Sequence, residues 1–186
     1  MGRVSQAQAE ENRRRVVATA SRMFREQGTQ VSVADLMKAV GMTHGGFYKQ
    51  FASKEALIDE ATAQAFEEFA QRRLAGPEQH AGQLDTARQT LIDTYLSPAH
   101  RDNAARGCPA AGLATDMARD PGDRDAHRVY REGVAEFADW LATDDQDGIA
   151  RLCTMVGALV LSRATTGSPL SDEILARARA ALTTTD

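Results

Sequence analysis

The sequence predicts an all-α protein, on three observations. Apolar residues recur at helical spacing along the chain, and no segment alternates apolar and polar residues as a half-buried strand would. Glycine, proline and Ser-Pro breaks divide it into about nine helical segments. The expected arrangement is a small three-helix module at residues 1–52, followed by a larger helical domain at residues 53–186.

The first helix is expected from about Gln6 to Gln27. Val16, Val17, Ala20, Met23 and Phe24 form one stripe, and Arg13, Arg14, Arg15, Arg22 and Arg25 lie near or outside it. Gly28 stops this helix. Ser32 caps a short second helix through about Ala39, with Asp35 at its third position acting as a weak capping box, and Gly41 ends it. Thr43 is placed to cap a third helix that closes near Phe51, because Ser53 opens a fourth with Glu55 in its first turn. The fourth helix carries Leu57, Ile58, Ala61, Ala65, Phe66, Phe69 and Leu74 to a break at Gly76-Pro77, so it starts at the module boundary and enters the body. Further helices are expected at about 80–97, 109–119, 122–143, 146–166 and 170–182. The breaks between them are Ser97-Pro98, Asp120-Pro121-Gly122, Asp144-Asp145 and Gly167-Ser168-Pro169.

A chain of 186 residues buries a proper core without covalent staples. Two cysteines, Cys108 and Cys153, fit a reducing compartment, so a cytoplasmic address is expected. Met1 to Ser5 leads into no apolar signal region. The longest apolar stretch, around Met155 to Leu161, falls far short of the roughly 20 residues a bilayer requires, so no membrane partner is expected. The net charge of −4 argues by itself against a nucleic-acid partner, but its distribution does not. Residues 1–60 hold nine Lys/Arg against seven Asp/Glu, and the remainder hold thirteen against nineteen. A mildly basic segment on an acidic body suits a DNA-reading module.

The two short helices joined by Val40-Gly41-Met42 have helix-turn-helix dimensions, as do many helical hairpins in enzymes. The second helix adds chemistry. Gly45 and Gly46 stand together where a packing helix would avoid them, since each costs about 1 kcal/mol against alanine. Their absent side chains would let the backbone approach bases and phosphates. Thr43, His44, Tyr48, Lys49 and Gln50 supply donors and apolar edges for a groove, while Phe47 and Phe51 anchor the opposite face. Read alone, Tyr48 is a half-buried aromatic and Lys54 a solvated first-turn residue.

Residues of about 12–60 resemble the tetracycline-repressor (TetR/AcrR) family of regulators. The match rests on Ala18 to Gly28 with Phe24, on Val31-Ser32-Val33-Ala34-Asp35-Leu36, and on the run from Gly46-Phe47-Tyr48 through Lys54-Glu55. The resemblance implies that Thr43, His44, Gly45 and Gly46 face base edges or sugar-phosphate. It also implies that Ser32, Tyr48 and Lys54 hold phosphates and that Lys49 and Gln50 tune the sequence read. Gln50 stands where the family often has His, which leaves its contact less defined.

For the body, the resemblance implies a ligand-binding and dimerisation domain whose last two helices meet those of a second copy. The residues agree, because Ile149, Leu152, Cys153, Val156 and Val160 form one stripe and Met155, Leu159 and Leu161 cover much of the rest. The expected dimer contacts are Leu152, Val156, Leu159, Val160, Ile174, Leu175 and Ala178; an ordinary core helix is the alternative. Candidate lining for a small-molecule cavity comprises Tyr95, Cys108, Met117, Tyr130, Phe137, Trp140 and Met155, any of which could equally be core. Gly107-Cys108-Pro109 fits a helix start, where unpaired amides and Arg106 would lower a thiol pKa and suit Cys108 to sensing. The alternative for Cys108 is a small core residue, and Cys153 is expected to be inert within its stripe.

No Gly-x-Ser-x-Gly elbow, phosphate-binding glycine loop, His-Glu-x-x-His pair or Cys-x-x-Cys occurs, so no enzyme activity, metal or cofactor is expected. Asp145, Asp147 and Gly148 faintly suggest a calcium loop, but Thr143 and Thr154 occupy carboxylate positions; a hinge or cap fits better. The expected function is a homodimeric regulator released from a pseudo-palindromic operator by a small molecule. A helical ligand carrier or adaptor without DNA binding is the alternative.

Overall fold

The computed structural model describes residues 6–74, 81–120 and 122–183, and all regular structure among them is helical. The expected break at Gly76-Pro77 and the proline at 121 lie outside the described residues.

Helix α1 is Gln6–Gln27 and buries Val16, Val17, Ala20 and Phe24. It ends at Gly28, whose φ of +82° suits a residue without Cβ. Helix α2 is Val33–Ala39; the Ser32 hydroxyl oxygen accepts the Asp35 amide at 3.1 Å, as the sequence predicts. Gly41, at φ +72°, turns the chain into α3, His44–Phe47. This helix is shorter than the expected Thr43 to Phe51. The two glycines weaken it, and Gln50 and Phe51 return their amides to the Phe47 carbonyl as a tight turn. Thr43 stands at the N-cap position but its side chain makes no capping bond. Helix α4, Lys54–Leu74, starts under Ser53, whose hydroxyl accepts the Ala56 amide at 3.1 Å.

The body differs more from expectation. Helix α5 is Ala81–Tyr95, and Ser97-Pro98 opens a further helix, α6, Pro98–Arg101, instead of only separating two. The reason is capping chemistry: Ser97 accepts the His100 amide at 3.2 Å and proline occupies the first turn. A 3₁₀ turn follows at Ala104–Arg106. The single helix expected at 109–119 is two, α7, Pro109–Gly112, and α8, Ala114–Arg119, meeting at Leu113. Then come α9, Asp125–Leu141, α10, Gly148–Ala164, and α11, Pro169–Thr183. Asp147 caps α10 by accepting the Ile149 and Ala150 amides at 2.7 and 3.0 Å, so it serves as a helix cap. Gly148 permits close crossing of α9 and α10, since a Cβ there would sit 1.9 Å from the Ala138 carbonyl oxygen.

Two cores result. One joins Phe24, Leu36, Phe47, Phe51 and Leu57 of the N-terminal module, and Leu113, Met117 and Ala126 reach into it from the body. The other gathers Ile92, Tyr95, Phe137, Leu141, Met155 and Leu159. The module is therefore packed on the body as well as tethered by α4. Asp116 of α8 reinforces this by accepting the Thr29 amide at 3.2 Å and its hydroxyl at 2.9 Å.

Candidate functional site

The α3 region is a small polar platform on an apolar root. Phe47 and Phe51 are buried and stacked, with ring centroids 5.3 Å apart. Arg13 lies 4.3 Å over the Phe51 ring, donates to the Gln50 carbonyl and pairs with Glu60. Arg15 donates to the Val40 carbonyl at 2.9 Å, tying α1 to the end of α2. Above this root Thr43, His44, Gly45, Tyr48 and Lys49 are exposed, and Gly46 and Lys54 are half-buried. The rings of His44 and Tyr48, one helical turn apart, meet edge to face at 5.8 Å.

Gly45 has open space around it: a Cβ there would meet nothing within 4 Å, and its φ is not positive. At Gly46 a Cβ would make ordinary contact with Met37 and Thr43, at 3.5 and 3.6 Å. Nothing inside the chain requires glycine at either position. Two expected residues are less available. Ser32 is exposed but its hydroxyl both caps α2 and donates to Asp35 at 2.6 Å, while Gln50 is half-buried with its side-chain oxygen enclosed and unpartnered.

The residues expected to line a cavity mostly do not. Cys108, Phe137 and Met155 are buried core, and Met117 belongs to the core of the N-terminal module. Tyr130 donates to the Ala110 carbonyl at 2.6 Å, and Trp140 packs against the body core. Tyr95 alone of the set lines a cavity of about 490 Å³ that opens to solvent between α4, α5, α6 and the 3₁₀ turn. Its walls combine Phe69, Leu91 and Ala99 with Thr86, Thr90 and Thr94, and Arg72, His100, Asn103 and Arg106 add polar groups. The sequence carries a signal for this wall: threonines at 86, 90 and 94 recur at four-residue spacing and therefore share one face of α5.

Below the cavity a second cleft of about 830 Å³ separates α1 and α2 from α4, lined by Arg15, Arg22, Arg25, Arg72 and Arg106 with Glu68. Arg72 and Arg106 line both spaces. Arg72 donates to the Arg106 carbonyl at 2.7 Å, and Arg25 reaches the Gly107 carbonyl at 3.4 Å. His100 packs against Tyr95, with ring centroids 4.6 Å apart. Its Nδ1–H donates to the Tyr95 carbonyl at 2.8 Å and its Nε2 accepts the Cys108 amide at 3.2 Å, while burial holds its pKa below the ordinary value.

Cys108 is 1% exposed, and burial pushes its thiol pKa up, outweighing the nearby amides that sequence reasoning expected to lower it. Cys153, expected inert inside a stripe, is exposed. The same correction applies to the expected dimer face. Leu152, Leu159 and Leu175 are buried in the chain's own core, Val156, Ile174 and Ala178 are half-buried, and Val160 is exposed. The row that α10 presents outward is Ile149, Cys153, Val156 and Val160.

Residues 16–61 match the family model of "Bacterial regulatory proteins, tetR family". The whole fold is similar to a TetR transcriptional regulator from Chloroflexus aurantiacus, 21% identical, TM-score 0.72, covering 95% of this chain and 94% of that one. It is also similar to a TetR-family regulator from Agrobacterium tumefaciens, 18% identical, TM-score 0.71, covering 91% and 95%. A putative regulator from Saccharomonospora viridis, solved with choline, is 20% identical, TM-score 0.64, covering 93% and 94%. Among curated proteins, a DEAD-box ATP-dependent RNA helicase of Arabidopsis thaliana is 31% identical over 150 residues, 75% of this chain. The chain spans 19% of that helicase's length and carries no phosphate-binding glycine loop.

Proposed function

Because the chain belongs to the tetR family of bacterial regulatory proteins, we propose that it binds a pseudo-palindromic operator as a homodimer and is released by a small molecule. Residues 1–52 form the reading head, and residues 53–186 bind the effector and pair the subunits. The observation that carries the reading is Gly45, a helical glycine in open space on an exposed platform. It weakens its own helix by about 1 kcal/mol with no internal return, so the return lies outside, in close approach to DNA. Thr43, His44 and Lys49 then face base edges, and Tyr48 and Lys54 face phosphates.

Two fold neighbours support effector control: one was solved with isovaleryl coenzyme A and operator DNA, the other with choline. The cavity between α4, α5 and α6 is the effector site of this reading, and α4 joins it to the reading head. No helix among the described residues is long and apolar enough to cross a membrane.

The test is Gly45→Ala. Its stability to urea should equal or slightly exceed that of the parent, while affinity for duplexes selected from the native genome falls at least about tenfold as the methyl blocks approach. Unchanged affinity in a folded variant, or no salt-sensitive duplex binding by the parent, would return the chain to the carrier reading.

A further inference from the structure

The charge of the cavity specifies its occupant. Two arginines, Arg72 and Arg106, lie in its wall, and no aspartate or glutamate is among the described residues that line it. Of the two titratable rings in the wall, Tyr95 is kept uncharged because burial pushes its pKa up, and His100 spends both nitrogens on the Tyr95 carbonyl and the Cys108 amide. Arg72 uses Nε and Nη1 on the carbonyls of Glu68 and Arg106, leaving the rest of its fork uncommitted. The Arg106 guanidinium forms no hydrogen bond or ion pair with a described residue and is exposed at this wall. Between them they place a double positive charge that no carboxylate among the described lining residues offsets.

The remainder of the wall is apolar or weakly polar. Phe69, Ala87, Leu91 and Ala99 supply hydrocarbon. Thr90 and Thr94 donate their hydroxyls to the Thr86 and Thr90 carbonyls of their own helix, each at 2.8 Å, and so turn oxygen lone pairs and methyls outward. Such a surface holds a hydrocarbon body and orients a head group at one end.

Building on the reading of this cavity as the effector site, we infer that its ligand is a carboxylic acid with an apolar body, its carboxylate held by Arg72 and Arg106. A carboxylate matches the guanidinium fork in charge and geometry. A quaternary ammonium, by contrast, would meet two positive charges and no carboxylate among the described lining residues. The same wall gives such a ligand access to the reading head. Arg72 is bonded to the carbonyl of Arg106, and the next carbonyl, that of Gly107, accepts from Arg25 of α1, so drawing Arg72 toward a carboxylate alters the contact beneath α1.

The test titrates the full chain with octanoate, 1-octanol and octyltrimethylammonium by calorimetry, and follows duplex binding in the same samples. Octanoate should bind about tenfold or more tighter than octanol, the weight of a charge-assisted hydrogen bond, and the ammonium should not bind. Arg106→Gln, which leaves the backbone bond from Arg72 intact, should bring octanoate down to the level of octanol, as should Arg72→Gln. Thr90→Phe, which fills the cavity, should abolish both. Equal binding of all three probes, no binding of octanoate, or octanoate binding unaltered in both arginine variants would overturn the assignment. Octanoate that binds through the arginines yet leaves duplex affinity unchanged supports the anion assignment and overturns the effector reading instead.

Discussion

Arg25 Nη2 stands 3.0 Å from Glu68 Oε2, joining the first helix of the reading head to the long helix that enters the body. The Arg25 side chain is 1% exposed and that of Glu68 is 36% exposed. Burial lowers the Arg25 pKa, and Glu68 only partly restores it, so the guanidinium depends on its partner more than the carboxylate does.

The two partners should therefore respond unequally to removal. Glu68→Ala strands a buried charge and should cost about 2 to 3 kcal/mol, below the range for fully buried pairs because Glu68 is partly solvated. Arg25→Met refills the volume with an apolar chain and should cost only about 1 kcal/mol. Urea unfolding should also find the double variant no worse than Arg25→Met. A double variant worse than both would show that the two groups are not coupled.

On the reading face, Lys54→Ala should weaken binding to every duplex and reduce the salt slope by about one. His44→Ala should instead change the ranking of sites, because its ring stands among the groove-facing groups. Gel-shift titrations across salt and across sequences separate the two effects. If both variants shift only the salt slope, His44 does not read bases.

Subunit pairing is tested by neighbouring residues on α10. Val160 is 43% exposed and Leu159 is fully buried. Val160→Asp should leave a folded chain that sediments as a monomer and binds operator weakly. Leu159→Asp should unfold it, because an unpaired charge enters the core at a cost of several kcal/mol. A Val160→Asp protein that remains dimeric in sedimentation moves the interface off this face.

The cysteines should react in the reverse of the order expected from sequence. Alkylation of dilute native protein, followed by peptide mapping, should label Cys153 and spare Cys108 until the chain unfolds. Labelling of Cys153 should slow as protein concentration rises and α10 is covered by a second copy. Early labelling of Cys108 would mean that its surroundings open in solution.

Acidification should weaken the fold through His100. Its folded pKa lies below the ordinary 6.5, so between those values the unfolded chain binds the extra proton. The stability it contributes is complete above about pH 6.5 and is lost as pH falls through the folded value. Protonation also removes the Nε2 lone pair that accepts the Cys108 amide. The decline measured by urea unfolding between about pH 7 and 5.5 should shrink in His100→Gln, and an identical decline would assign it to other groups.

The sequence by itself determined the first, second and fourth helices, the caps at Ser32 and Ser53, the stops at Gly28 and Gly41, and the polar platform over Phe47 and Phe51, but not the length of α3 or the cap expected from Thr43. These are short-range matters, settled by propensity, capping and spacing within a few residues. Tertiary structure decided what depends on distant neighbours. The stripe on α10 read as one apolar surface, and only packing against α9 and α11 divided it, sending Leu152 and Leu159 inward and Cys153 and Val160 outward. Cys108 had the local sequence of an activated thiol, yet its pKa was set by the desolvation that surrounding helices impose. Arg72 and Arg106, 34 residues apart, share a cavity wall because α4 and the 3₁₀ turn meet there. No spacing along the chain encodes that meeting, since its cause is the docking of α1, α4 and α7 into shared cores.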